Sequence, residues 1–369
     1  MSSIISGSRV DRVIVDPKTE WVSLKLTTDN GSAGMGEAMC PSPSALLQSA
    51  LEIAAANLEG TSLKSAAPPP KSLADDKATG LLEATVHATI DQCLWDLRTR
   101  AAGIPVYAAL GPTLRTAIPL YANINRGTRD RSPENFARRA ADAIADGFDA
   151  VKIAPFDGLT RQNGHTVAGR NALALGLERV NAVRDAIGLD NLLMIDCHCR
   201  FHLPGALQFL KAAEPVRIDW FEDVLPYHEL TQWAHLRANS SVLLAGGETA
   251  RGIRDLLPFL DRGIWDVVMP DVRFIGITEL AALGPLAEQY QVQLAPHNPR
   301  GPIGTAASAH AVVGARAFRV LEFQHGEIEW RGALTNGTEV IRNGALELSD
   351  APGLGIDWDE STVKTHSVS

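Results

Sequence analysis

A chain of 369 residues with 45% hydrophobic and 21% charged residues suits one large domain plus a smaller one, and its balance excludes a disordered or fibrous protein. A net charge of −9 without any Lys/Arg-rich run argues against a nucleic-acid partner, whose phosphates want a basic face. No apolar run reaches the roughly 18 to 20 residues that span a bilayer and no signal-peptide core opens the chain, so no membrane partner and a cytoplasmic location are expected.

In chain order, residues 9–16 (RVDRVIVD), 21–29 (WVSLKLTTD) and 31–39 (GSAGMGEAM) read as strands, with DNGS a hairpin turn between the second and third. Residues 42–60 have helical periodicity, a Ser/Pro start and a Gly stop. The proline-rich stretch 65–72 (SAAPPPKS) serves as a linker, and 78–103 form a long, largely buried helix ending at Gly103. Residues 1–115 therefore read as an α+β capping domain.

From about residue 117 short apolar strands alternate with amphipathic helices such as 132–147 and 170–188. The strands are AIPLYANI, DAVKIA, LLMID, RIDWFE, VLLAGGE, WDVVMPD, VQLAPH and FRVLEF. Eight strands separated by helices predict an α/β fold of the modified TIM-barrel type, a (β/α)7β barrel, over residues 116–335. Residues 336–369 read as a turn-rich tail returning to the capping domain.

Six strands end in an ionisable residue: Asp196, Glu222, Glu248, Asp271, His297 and Glu322, spaced 26, 26, 23, 26 and 25 residues apart. One βα unit has about that length, and the C-terminal strand ends of a barrel converge on one mouth. Any one of the acids could be a helix N-cap or a solvated loop residue; six in phase point to a site. Three crowded carboxylates, Asp196, Glu222 and Glu248, call for a hard divalent cation, and Mg²⁺ is the natural choice. Asp271 can bond one nitrogen of His297 and leave the other as a general base.

With these residues in place, the whole chain resembles the enolase superfamily, in the branch named for mandelate racemase. The resemblance implies that Asp196, Glu222 and Glu248 bind Mg²⁺, that the metal stabilises an enediolate formed by removing the proton α to a carboxylate, and that Asp271 and His297 form the basic dyad. It also implies that Lys152 neutralises the carboxylate of a small-molecule substrate and that Glu322 hydrogen-bonds it. Because barrels of this family often associate, a homo-oligomer is expected. The second strand departs from the common Lys-x-Lys pattern, since Ala154 stands where the second lysine would be. Two-base racemisation thereby loses its simplest mechanism. Lys152 could otherwise be a rim lysine.

The segment DCHCR, residues 196–200, groups Cys197, His198 and Cys199 like a zinc site. Strand alternation separates them, with Asp196 and His198 facing the mouth and the cysteines facing away as small buried residues. With Cys40 and Cys93 the four cysteines make no disulfide scaffold in a chain this long, as in a reducing compartment. The Asp-x-His-x-Arg segment resembles that of acid-sugar dehydratases such as galactonate dehydratase, which implies that His198 protonates a departing β-hydroxyl; a structural histidine is the plainer reading. The expected reaction is dehydration of a sugar acid to a 2-keto-3-deoxy acid. A cycloisomerase or one-base epimerase on the same fold, and a catalytically silent binding barrel, are the alternatives. Asn123, Asn125, Arg300 and His165 are candidate substrate contacts, and each could equally be a loop hydrogen-bonder.

Overall fold

The computed structural model describes residues 3–71 and 77–367. The chain opens with three antiparallel strands, β1 (Ile5–Asp16), β2 (Thr19–Thr28) and β3 (Ala33–Ala38), in that order across the sheet. The DNGS turn between β2 and β3 closes with a bond from Thr28 N to Ser32 O, and Gly31 takes the left-handed φ of 83° that this tight turn needs. Helices α1 (Ser44–Ala56) and α2 (Lys77–Ala102) cover one sheet face. Val22, Leu24 and Leu26 of β2 pack there with Leu47 and Leu51 of α1 and Ile90, Leu94 and Leu97 of α2. Gly36 lets β3 lie flush on α2, because a Cβ there would stand 2.3 Å from the Thr89 carbonyl oxygen. A one-turn helix, α3 (Val106–Leu110), leads out of this domain.

The second domain runs β4 (Ala117–Asn123), α4 (Pro133–Ala145), β5 (Ala150–Ile153), α5 (Val167–Ile187), β6 (Leu192–Asp196), α6 (Leu203–Ala213), β7 (Trp220–Glu222), α7 (Leu230–Ala238), β8 (Leu243–Gly246), α8 (Ile253–Leu260), β9 (Val267–Val268), α9 (Val272–Gln289), β10 (Gln293–Leu294), α10 (Pro302–Val312) and β11 (Leu321–Gln324). The strands pair in parallel from β4 through β10, and β11 pairs with β4. Leu294 of β10 accepts a bond from Arg319 N and donates to Ala317 O, so the start of the eighth strand joins the seventh and closes the ring. The expected (β/α)7β barrel with its α+β cap is the observed fold.

Strand alternation sorts the barrel side chains. Tyr121, Ala150, Met194, Trp220, Ala245, Val267, Ala295 and Val320 fill the interior, while their neighbours Val151, Leu193, Ile195, Phe221, Leu244 and Val268 pack outward against the helices. Trp220 is wholly buried, and truncating an aromatic side chain in such a position typically costs about 3–5 kcal/mol. This apolar plug fills the interior, so polar inward positions are confined to the next layer up, at the C-terminal strand ends.

After the barrel come α11 (Arg331–Leu334), β12 (Val340–Arg342), β13 (Ala345–Glu347) and α12 (Glu360–His366). The tail first forms a β12–β13 hairpin that adds antiparallel to β4. Only then does it cross to the cap, where Leu354 N bonds Asp96 and Glu360 pairs with Arg9 and Lys25. Among the described residues no helix is long and apolar enough to cross a membrane.

Candidate active site

Two residues beyond each interior apolar side chain the same alternation places a polar one. Tyr121 leads to Asn123, Ala150 to Lys152, Met194 to Asp196, Trp220 to Glu222, Ala295 to His297 and Val320 to Glu322, and Met269 leads to Asp271. All seven are at most 8% exposed, so the mouth is a buried, mostly ionisable cluster. Glu248 is out of phase with Ala245. It reaches the cluster because Gly247 takes φ 119°, a backbone shape closed to most L residues.

On the β5–β8 side, Lys152 is fully buried and is therefore no rim lysine. Its Nζ lies 2.7 and 3.0 Å from the two oxygens of Glu222 and 3.3 Å from Glu322. Burial works against the ammonium, but Glu222 and Glu322 hold it charged, well above the ordinary lysine range. Glu222 is pushed up to about 7, by burial first and then by Asp196 and Glu322, against the pull of Lys152.

Asp196 accepts from His198 Nε2 at 2.8 Å and from the His198 amide at 2.9 Å, and this contact, with Lys152 behind it, outweighs burial and holds the carboxyl below its usual range. His198 rises to about 9 beside Asp196, burial opposing. His198 lies beside Asp196 at the mouth as expected, but the route differs from a continued strand. β6 ends at Asp196, and His198 and Cys199 take left-handed φ values of 47° and 55°, so a turn rather than strand alternation brings the imidazole back over Asp196. Cys197 packs in the outer hydrophobic core, as a bystander to the chemistry.

On the β9–β11 side, Asp271 Oδ2 accepts from His297 Nδ1 at 2.9 Å and from Arg300 Nη2 at 3.1 Å, with Arg273 Nε also at 3.1 Å. Burial would raise the Asp271 carboxyl, yet Arg300, Arg273 and the His297 bond hold it well below the carboxylate range. His297 Nε2 lies 3.0 Å from Glu248 and 3.8 Å from Glu322, and these acids with Asp271 raise its pKa against burial.

Glu322 takes bonds from Asn123 Nδ2 at 2.5 Å, the Asn298 amide at 2.9 Å and Gln324 Nε2 at 3.1 Å. Burial opposes its ionisation, but Lys152 and His297 keep its pKa low. An ionised carboxylate has no proton to offer another carboxylate. In this arrangement Glu322 anchors Lys152 and the backbone at Asn298.

The four candidate substrate contacts lie in different surroundings. Asn123 bonds Glu322 and accepts from Asn125, whose own Oδ1 takes the Ala154 amide at 2.7 Å. Arg300 is fully buried behind the dyad. His165 is exposed on the loop before α5, where its carbonyl accepts from Arg170. Sequence reasoning missed Arg273, Asn298 and Asp223. Asp223 is fully buried and pushed well up by burial, then by Glu248 and Glu222, with the Tyr227 hydroxyl on both its oxygens at 2.6 and 2.7 Å. The acid doublet Glu222-Asp223 was its only signal.

The donor set bears on the expected Mg²⁺. Asp196 and Glu222 are paired residues on adjacent strands, and Glu248 follows the next strand. Three oxygen donors with no sulfur suit a hard cation, and the raised Glu222 marks an acid whose burial Lys152 alone does not offset. Each carboxylate is turned to a different basic side chain, and among the described residues no three of His, Cys, Asp and Glu gather closely enough to hold a metal. Two concavities, of about 640 Å³ beside α7 and α8, reaching Cys199, Gly247 and Thr249 at the strand ends, and about 270 Å³ beside α5 and α6, hold none of the mouth's ionisable side chains.

Fold and mouth together define a capped parallel barrel whose strand ends carry acids, a lysine and histidines. Residues 14–111 match the family described as mandelate racemase / muconate lactonizing enzyme, N-terminal domain, and residues 135–362 match the enolase C-terminal domain-like family. The chain belongs to the mandelate racemase/muconate lactonizing enzyme group of the enolase superfamily. It is similar to a D-gluconate dehydratase of Thermoproteus tenax, 31% identical over 286 residues, which cover 77% of this chain but 56% of that protein's length. It is also 29% identical over 363 residues to a D-galactonate dehydratase of Ralstonia nicotianae, covering 93% of this chain and 90% of that one. Among solved structures, a mandelate racemase/muconate lactonizing enzyme from Sulfitobacter sp aligns with a TM-score of 0.88 at 23% identity, over 99% of this chain and 96% of that one. One from Jannaschia sp. CCS1 aligns at 0.87 and 25%, over 99% and 98%.

Proposed function

We propose that the protein is a hydro-lyase that dehydrates a sugar acid to its 2-keto-3-deoxy product, with His297 as base and His198 as acid. The observation that carries this reading is the placement of two histidines around one carboxylate cluster. His297 is held by Asp271 through Nδ1, and His198 is held by Asp196 and charged beside it. The dehydratase relatives, aligned over nine-tenths of both chains, agree with it.

Asp196, Glu222 and Glu248 would hold Mg²⁺, and the ion would supply positive charge to offset that of the substrate carboxylate. Lys152, kept charged between Glu222 and Glu322, adds a fixed positive charge to the same mouth. His297 Nε2 takes the α-proton, and Asp271 stabilises the imidazolium that forms. The C–H electron pair flows through the enediolate to expel the β-hydroxyl, which leaves as water with the proton of His198. The enol product tautomerises to the 2-keto acid. Asp271 is fixed by Arg273 and Arg300 and stays ionised throughout. Ala154, where a second base would stand, carries no ionisable group, so the one-base reaction is favoured over racemisation.

Incubating the protein with Mg²⁺ and a panel of aldonic and aldaric acids should yield 2-keto-3-deoxy product from at least one. No turnover across the panel, with the protein folded and metal-loaded, sinks the reading. Solvent deuterium entering at Cα with the hydroxyl retained in wild type would instead indicate an epimerase. In His198→Asn the same pattern is expected: exchange persists while water loss drops.

A further inference from the structure

We propose that the capping domain positions the Asp271–His297 pair, through two buried carboxylates, Glu37 and Asp91, that cap the helices leaving the two dyad strands; this rests on reading His297 as the base.

A helix leaves its first amides without intrahelical partners, and each barrel helix must find acceptors for them. Three helices before the dyad find them locally, since Ser132 caps α4, Thr166 caps α5 and His202 caps α6, while α7 has no side-chain cap and α8 takes Glu279 of α9, within the same domain. The helices that follow Asp271 and His297 do otherwise. α10 begins at Gly301 with no side-chain cap from its own segment. Its amides are taken by Glu37, from β3 of the cap: Gly301 N donates at 2.6 Å to one oxygen and Gly304 N at 3.1 Å to the other. A Cβ on Gly301 would stand 2.6 Å from Glu37 Oε2, so glycine is required for the approach.

α9 is interrupted at Gly276, with φ 78° and ψ 173°. Asp271 itself caps the short turn before the break, through the Arg273 amide at 2.9 Å. The helix after the break is capped from the other domain, by Asp91 of α2. Thr278 N donates to Asp91 at 3.0 Å, the Thr278 hydroxyl donates at 2.6 Å, and Trp95 Nε1 donates to that hydroxyl at 2.8 Å. A Cβ on Gly276 would lie 2.7 Å from Asp91 Oδ2.

The two caps therefore grip the chain within seven residues of each member of the pair. Glu37 meets Gly301, next to Arg300, whose guanidinium bonds Asp271 and whose carbonyl accepts from Arg331 at 3.0 Å. Asp91 meets Thr278, one turn beyond the segment that carries Asp271 and Arg273. A carboxylate is an expensive means of mere packing at the Glu37 site. Burial pushes it up to about 7 against the Gly304 amide, Arg300, the Gly301 amide and Arg331. Glu37 and Asp91 are positioning residues, acting on His297 through the helices.

The test compares Glu37→Gln, Asp91→Asn and their double variant with Ser132→Ala, which removes a cap of the same kind from α4. The full chain is used with Mg²⁺ present. The His297 Nδ1 proton on Asp271 is read as a low-field ¹H resonance, assigned by its loss in His297→Asn. We expect it to broaden or vanish in Glu37→Gln and Asp91→Asn and to persist in Ser132→Ala. With an acid that wild type turns over, kcat should fall about 10- to 100-fold in each cap variant while KM stays within about twofold, as for a misplaced base. Should Glu37→Gln fail to fold, Asp91→Asn decides alone. If no acid is turned over, the dehydratase reading fails and the resonance still decides the positioning. An unchanged resonance in both cap variants, its absence from wild type, or an equal loss of kcat in Ser132→Ala overturns the proposal.

Discussion

The two halves of the barrel mouth stabilise their charges by different means. On the β5–β8 side each acid is matched to a basic side chain: Glu222 to Lys152, Asp196 to His198 and Glu248 to His297. On the β9–β11 side the acids are held mainly by backbone amides, neutral amides and arginines: Asp271 by the Arg273 amide, Arg273 and Arg300, and Glu322 by the Asn298 amide, Asn123 and Gln324, with Lys152 reaching it from the other half. The first half is a set of pairs that another cation can replace. The second is built into the fold, with the cap domain behind it. This teaches where each half is vulnerable: the first to changes of charge, the second to changes of position.

The largest effect should come from the rigid half. His297→Asn removes the base but keeps an acceptor-donor side chain beside Asp271, and both α-proton exchange and water loss should fall roughly 100- to 10,000-fold. Deuterium exchange by NMR checks this, and residual exchange above a tenth of wild type would move the base elsewhere. Next comes Lys152→Met in the exchangeable half. It leaves Glu222 and Glu322 buried without their cation, and breaking such a pair costs about 3–5 kcal/mol in urea unfolding. Added Mg²⁺ should recover part of that loss if Glu222 is a ligand; a loss indifferent to Mg²⁺ removes Glu222 from the metal set. In wild type, Mg²⁺ at 100 times its Kd should add about 2.7 kcal/mol, and chelation should reverse the gain.

The same contrast explains how much was legible in the sequence. A strand end is a local event, so βα spacing and the inward phase of Asp196, Glu222, Asp271, His297 and Glu322 could be read from the chain alone. Glu248 kept the spacing while losing the phase, and Gly247 repairs it. The turn at His198 could not be read, because a positive φ on a non-glycine residue leaves no mark in composition. Asn123 and Arg300 looked available only because their partners are remote; Arg300 meets Asp271 29 residues away and Asn123 meets Glu322 199 away. Glu37 and Asp91 were invisible for the same reason, since their helix amides lie 264 and 187 residues along the chain. Inward polarity is a property of one strand, whereas occupancy of a lone pair is a property of the whole fold.

The smallest predicted effect sharpens the line between the halves. His198 is charged by Asp196 to about 9, above the ordinary 6.5, so its protonated form stabilises the fold fully below about 6.5 and that contribution is lost as pH rises through about 9. The side chain is 48% exposed, so solvent screening limits the gain to under about 1 kcal/mol. Urea titrations without metal should show His198→Asn less stable than wild type by that small amount at pH 6, with the two converging above pH 9.5. Adding Mg²⁺ at pH 6 should shrink the difference further, because Asp196 then has another cation. A difference that grows with pH, or that exceeds about 2 kcal/mol, would mean that His198 is part of the rigid framework and not of the exchangeable half.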